Sequence, residues 1–291
     1  MHTMKDLNYQ LTKICRANRD GSYSTQATRS RMLDLIANQL HELGYKHMQA
    51  RSLKPKHVDA LVSLWKDKSI SVGTFKNRLS ALRWWANKVG KADIIAKDNN
   101  AYGIGHRSYV GQESKAKLLD EKQLEKVSDE HVRLSLRLQA AFGLRREEAI
   151  KFSPNYAIKD DHIKLKSSWT KGGRARTVPI RNDEQRRLLE DVRKLAQGGA
   201  LISPDKNYEK QLHRYERQVR TAGIKNPHGL RHAYAQRRYE ELTGWKSPLA
   251  GGPASKSLTK DQRACDKGAR ETISRELGHS REEISTRYLG R

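Results

Sequence analysis

The chain has 291 residues, enough for about two domains of ordinary size, each burying its own core. Its 58 Lys and Arg against 33 Asp and Glu leave a net charge of +25, of which +10 lies in residues 1–100 and +15 in the rest, so both halves carry a cationic surface suited to a polyanion. The only cysteines, Cys15 and Cys265, stand far apart and outside any CxxC, which excludes a disulfide framework and a cysteine-rich zinc site. The opening "MHTMKDLNYQ" lacks the apolar core of a signal peptide and no apolar run is long enough to span a bilayer, so a soluble protein of the reducing cytoplasm is expected.

A weak helical pattern covers residues 4–18. Leu33, Ile36, Leu40 and Leu43 then recur at helical spacing up to Gly44, which suits a left-handed cap. Val58, Leu61, Val62 and Trp65 repeat the pattern after Pro55, as do Phe75, Leu79, Leu82, Ala86 and Val89 up to Gly90. These segments predict an all-helical domain over 1–95. Lys76, Arg78, Arg83 and Lys88 decorate its last helix, either as a solvated face or as a track for a DNA backbone, and Trp84 lies off the apolar stripe. The aperiodic, Asn- and Gly-rich stretch 96–114 is expected to be a linker.

From residue 115 onward the pattern is mixed. "LLDEKQLEKV" and "VRLSLRLQAAFGLRREEAIKF" look helical, whereas 155–180 alternates in short segments around Asp160-Asp161 and Gly172-Gly173, predicting a small antiparallel sheet. Helices resume with the Tyr208, Leu212, Tyr215 and Val219 stripe, a helix opened by Pro227, and a Thr259/Gln262 capping box. The expected fold class is mainly α with a small antiparallel β-sheet: a helical domain followed by a mixed α+β domain over 115–291.

Three short motifs could carry chemistry. In "HGLRH", His228 and Arg231 share a helix face and could touch one phosphate; His228 and His232 could instead bind a metal, though a general-base Glu and a third ligand are missing. In "GLRREEAIKF", Glu148 could orient the Arg145 guanidinium through a bidentate pair, or the two could form an ordinary surface pair. Lys171 precedes two glycines, where a flexible turn could carry an ammonium into a groove.

Taken in order, Arg145, Lys171, His228-x-x-Arg231, His279 in "LGHS" and Tyr288 nine residues later resemble the tyrosine recombinase (phage integrase) family over residues 115–291. The 1–95 region is similar to that family's core-binding domain in helix count, length and charge. The resemblance implies that Tyr288 is a nucleophile attacking a DNA phosphodiester to form a 3′-phosphotyrosine and free a 5′-hydroxyl. It also implies that Arg145 and Arg231 clamp the phosphate, that Lys171 is the general acid for the leaving 5′-oxygen, and that His279 bonds the phosphate. His228 is assigned the phenol proton, because an ordinary phenol with a pKa near about 10 is a weak nucleophile at neutral pH. Glu148 would orient Arg145 from behind. The covalent intermediate conserves the phosphodiester energy, so neither ATP nor another high-energy cofactor is expected, and with two arginines and a lysine supplying positive charge no metal is expected either. The implied partners are double-stranded DNA, three further copies in a homo-tetramer on two DNA sites, and an accessory DNA-bending or excision factor; the implied setting is a bacterial nucleoid and a mobile element.

Two features depart from the family's usual pattern. Forty-seven residues separate Arg231 from His279, and the excess falls in the Gly-, Pro- and Ser-rich 242–258, expected as an exposed loop whose Trp245, Lys246 and Lys256 could contact DNA or a neighbouring protomer. Only Leu289, Gly290 and Arg291 follow Tyr288, so exchange of a C-terminal helix between protomers is not expected, and DNA together with "SREEIST" is expected to hold the phenol. A type IB topoisomerase-like enzyme and a catalytically silent DNA-binding regulator of the same fold are the competing readings.

Overall fold

In the computed structural model, which describes residues 6–105, 110–111, 113–279 and 282–291, Ser22 and Ser71 each accept the backbone N–H three residues on and so start two long helices. The N-terminal unit comprises α1 (Asp6–Ala17), α2 (Tyr23–Glu42), α3 (Pro55–Asp67) and α4 (Val72–Lys88). Its core closes on Trp65 and Trp85, both without solvent exposure; their indole N–H groups donate to Gln39 Oε1 at 2.9 Å and to the Ala50 carbonyl at 3.0 Å. Each ring removes about 200 Å² from water, on the order of 5 kcal/mol at about 25 cal/mol per Å².

The chain divides into two compact units, residues 1–107 and 108–291. Part of the stretch expected as a linker is structured. Asn99–Tyr102 form a 3-10 turn, and Ile104 is buried in the N-terminal core because Arg83 ties the strand down, donating to the Ala96 carbonyl and to Asn99 Oδ1. Residues 106–109 and 112 of that stretch lie outside the described residues.

The second unit comprises α5 (Glu121–Glu125), α6 (Glu130–Phe142), α7 (Arg146–Ile150), α8 (Pro154–Ala157), β1 (His162–Leu165), β2 (Arg176–Pro179), α9 (Asp183–Ala196), α10 (Tyr208–Thr221), α11 (Gly229–Thr243), α12 (Lys260–Leu277) and α13 (Thr286–Leu289). Helix α6 is apolar on two sides: Leu134 and Leu138 join the core shared with α9, α11 and α12, while Val132 and Leu136 join a smaller core with Tyr215 and Val219 of α10. Strands β1 and β2 pair antiparallel with Ile163 opposite Val178 and Leu165 opposite Arg176, so the period of two buries all four side chains on one face. The chain belongs to the mainly helical class with one small antiparallel sheet among the described residues.

Three expectations differ locally. The helical reading of 132–152 is broken at Gly143, which takes φ +63°, and Arg145 is extended before α7 begins. Residues 154–157 form a helical turn instead of strand, since Pro154 fits a first helical position. The 242–258 segment is not a fully exposed loop: it holds 3-10 turns at Pro248–Ala250 and Ser255–Ser257, and it buries Ser247 and Leu258.

Candidate active site

The break at Gly143 is what delivers Arg145. A Cβ at Gly143 would sit 2.5 Å from Cδ1 of the buried Tyr234 ring, and the left-handed φ disfavours any L side chain, so glycine alone permits the chain to turn there against α11. Arg145 then caps α7, its backbone N–H donating to Glu148 Oε2 at 2.7 Å and its Nη1 to Oε1 at 2.8 Å. The same carboxylate receives a bidentate pair from Arg176 on β2, at 2.8 and 2.6 Å. Glu148 is fully buried, and burial alone would raise its pKa; Arg176, then Arg145 and Arg231, reverse that and bring it down to about 2. The arrangement resolves the alternative left open by sequence: Arg145 and Glu148 are no surface pair.

Arg231, in the first turn of α11, is 1 % exposed. Its Nη1 donates to the Gly143 carbonyl at 2.5 Å and its Nη2 to the Leu277 carbonyl, so one guanidinium stops the C-terminal ends of α6 and α12. Unpaired helix-end carbonyls carry partial negative charge, which suits a buried cation. Burial and the neighbouring Arg145 nevertheless pull the Arg231 pKa down to about 10, leaving it charged at neutral pH but crowded by like charge.

Tyr288 on α13 is buried at 6 % exposure, and Arg231 Nε approaches its hydroxyl at 3.4 Å. Its ring stacks on His279 with centroids 5.4 Å apart and meets His232 at 4.4 Å; His228 lies further off at 6.3 Å. His279 Nε2 is 3.4 Å from Arg231 Nη2. Desolvation, reinforced by surrounding cations, lowers the pKa of His279 to about 3 and of His232 to about 4, and lowers that of His228 as well. All three rings are therefore neutral at pH 7, and the pocket holds three guanidiniums against one carboxylate.

The chain itself supplies contacts that hold the tyrosine segment. Leu289 is wholly buried in the main core, and Gln236 Nε2 donates to the Tyr288 carbonyl at 3.0 Å. Of the "SREEIST" segment, residues 280 and 281 lie outside the described residues, whereas Ser285 and Thr286 are buried.

Lys171 stands apart from this cluster, exposed on the loop between β1 and β2, with no side-chain hydrogen bond or ion pair to a described residue. Several residues expected at DNA also make contacts within the chain. Arg78 packs over the Trp65 ring at 5.5 Å, Arg83 staples 96–99, and Lys88 pairs with Asp20 at 3.0 Å; Lys76 alone of the four is without such a contact among the described residues. Trp84 donates to Asp20 Oδ2 at 2.9 Å beneath Arg29. Trp245 turns inward, edge-on to Tyr239 and against the core, because Thr243 and the turn after it fold the chain back, while Lys246 and Lys256 remain exposed.

Arg176 and His232 are the residues that sequence reasoning left unassigned. A signal for the first was present: Val178 must face the core of the hairpin, so Arg176 two residues earlier faces it too, and a buried guanidinium demands a partner. His232, which the sequence offers as a metal ligand, packs on Tyr288; among the described residues no group of three His, Cys, Asp or Glu is placed to hold a metal.

Comparisons with known proteins bear on the whole chain. Residues 4–95 match the family described as phage integrase, N-terminal, and residues 105–237 match the integrase family. No curated protein sequence matches. Among solved structures, the XerH site-specific recombinase bound to palindromic difH substrate, in a post-cleavage complex, is similar at 18 % identity and TM-score 0.59, over 97 % of this chain and 80 % of that one. A lambda integrase dimer bound to a COC' core site gives 15 % and 0.61 over 97 % and 77 %, and the Tn1549 transposon integrase in complex with transposon right end DNA gives 15 % and 0.57 over 98 % and 94 %. At these identities the likeness is one of fold.

Proposed function

The chain belongs to the tyrosine recombinase family, and from that premise we propose that it is a site-specific DNA recombinase that integrates or excises a mobile element through a 3′-phosphotyrosine at Tyr288. The observation that carries this reading is the Tyr288 hydroxyl beside the buried Arg231 guanidinium, in a pocket whose positive charge is only partly offset by Glu148. A phosphodiester fits there because its nonbridging oxygens would relieve the repulsion between Arg231 and Arg145 and be held by two planar donors from separate elements.

In the forward step Tyr288 Oη attacks the phosphorus, its proton passes to His228, and the bond from phosphorus to the 5′-oxygen breaks with a proton supplied by Lys171. Religation runs the same exchange backwards: the 5′-hydroxyl attacks, the phosphotyrosine bond breaks and Tyr288 recovers its proton. One phosphoester bond forms for each that breaks, so no energy source enters. Double-stranded DNA is the partner, four copies on two DNA sites make the working assembly, and an accessory DNA-bending or excision factor sets direction in a bacterial, nucleoid-associated setting. Among the described residues no helix is long and apolar enough to cross a membrane.

The test uses a plasmid carrying both junction sequences of the resident element, incubated with the full chain. Exchange of the segment between the two sites is the expected product. Relaxation of the plasmid with no exchange would favour the topoisomerase reading, and footprinting without any strand cleavage would favour the silent regulator.

A further inference from the structure

The segment that separates Arg231 from His279 makes an unusual neighbour for the tyrosine. Its Pro248–Ala250 turn packs against α13. A Cβ at Gly290 would lie 2.9 Å from Leu249 Cγ, 3.1 Å from the Leu249 backbone N and 3.2 Å from Pro248 Cβ, so the backbone two residues after Tyr288 rests directly on this turn. On its other side Leu249 reaches Gly111, where a Cβ would come within 2.9 Å of Leu249 Cδ1 and 3.2 Å of the Arg287 carbonyl. Leu249 is thus a wedge between residue 111 and the end of α13.

A polar anchor completes the seat. Arg270 of α12 is 4 % exposed and donates from Nη1 to the Gly290 carbonyl at 2.9 Å. Asp266 fixes that guanidinium by accepting from its Nε at 2.8 and 2.9 Å, and accepts as well from the Tyr239 hydroxyl at 2.5 Å. Trp245, at the head of the insertion, packs edge-on to Tyr239. With Gln236 on the Tyr288 carbonyl, one carbonyl of the four-residue helix and that of its cap residue Gly290 are bonded by side chains of the same chain. Such a short helix has too few internal bonds to stand by itself, so these external contacts decide whether it is docked.

We propose that the 245–250 turn and Arg270 form a seat that docks the Tyr288 segment within its own protomer, before DNA or any partner copy is engaged. Leu249, Arg270 and Asp266 are then positioning residues that act through α13. The docking stands on the contacts alone; its catalytic consequence rests on the reading of Tyr288 as nucleophile.

The experiment follows hydrogen exchange of the amides of 286–290 in the full chain without DNA, and then single-turnover adduct formation on a nicked duplex from an element junction. In the parent these amides are protected. Leu249→Ser and Arg270→Gln should speed their exchange by about tenfold or more, while exchange in α6 and α9 stays unchanged, because the segment opens locally. Adduct formation at saturating DNA should slow by about the same factor with DNA affinity held, and Leu249→Met, which conserves volume, should restore both. Unprotected amides in the parent, or protection unchanged in both variants, would overturn the proposal. Leu249 is only half-buried, so Leu249→Ser decides the matter even if Arg270→Gln misfolds. Failure of the parent to form any adduct would instead sink the nucleophile reading, with the exchange data still deciding the docking.

Discussion

Glu148 is where folding and site geometry meet in one side chain. It holds Arg145 and Arg176 together from a fully buried position, and the cations outweigh the cost of burial so that its pKa falls from the ordinary carboxylate range to about 2. The folded value lies below the unfolded one, so the pair's contribution is complete above about pH 4.5 and is lost as pH falls towards 2, an effect of about 3 kcal/mol. Urea unfolding of the C-terminal unit at pH 7, 4 and 3 should show a loss growing to about 2 kcal/mol at pH 3 in the parent. Glu148→Gln should start about 3 kcal/mol less stable at pH 7, because Arg176 is left buried without its counter-charge, and should lose less on acidification. An acid dependence identical to the parent's would refute the role. Sequence spacing suggested the Arg145–Glu148 contact because three residues on a helix share a face. It could not supply Arg176, 28 residues away, since pairing across the hairpin register decides that.

At the scale of elements, the junction between α6 and α7 is the device that aims Arg145. Apolar periodicity made the helices legible: Leu134, Leu138 and Phe142 keep helical spacing, and the Thr259 cap marks a start. Periodicity also concealed the break, because Leu144, Ala149 and Ile150 are buried on the far side of Gly143 and continue the apolar pattern. Gly143→Ala is expected to be costly for two reasons, a left-handed φ and a Cβ driven into Tyr234. Together these amount to about 3 kcal/mol, a fall of about 6–12 °C in melting temperature for a unit of this size. Calorimetry of the variant checks this, and an unchanged melting temperature would mean that the turn is not constrained as described. The Gly- and Ser-rich composition of 242–258 predicted exposure, yet Ser247 and Leu258 are buried; composition reports turn propensity and is blind to what a turn packs upon.

For the molecule as a whole, charge was the most legible property and its allocation the least. The +25 excess points to a polyanion, but Arg78, Arg83 and Lys88 also make contacts within the N-terminal fold, and Arg176 and Arg270 within the C-terminal unit. The remaining exposed cations should still engage several phosphates. If about six are neutralised, affinity for duplex DNA should fall by about 10³ between about 50 and 200 mM salt, with a log–log slope of about −5. Fluorescence anisotropy on a labelled duplex measures this directly, and a slope near zero would exclude a phosphate-dominated interface.

The central claim, that Tyr288 is the covalent nucleophile, is tested most directly with a nicked junction duplex that traps the cleaved strand on the protein. The parent should give a denaturation-resistant DNA adduct whose peptide maps to Tyr288, and Tyr288→Phe should bind the same duplex equally well yet give none. No adduct with the parent, or an undiminished adduct with Tyr288→Phe, would contradict the account.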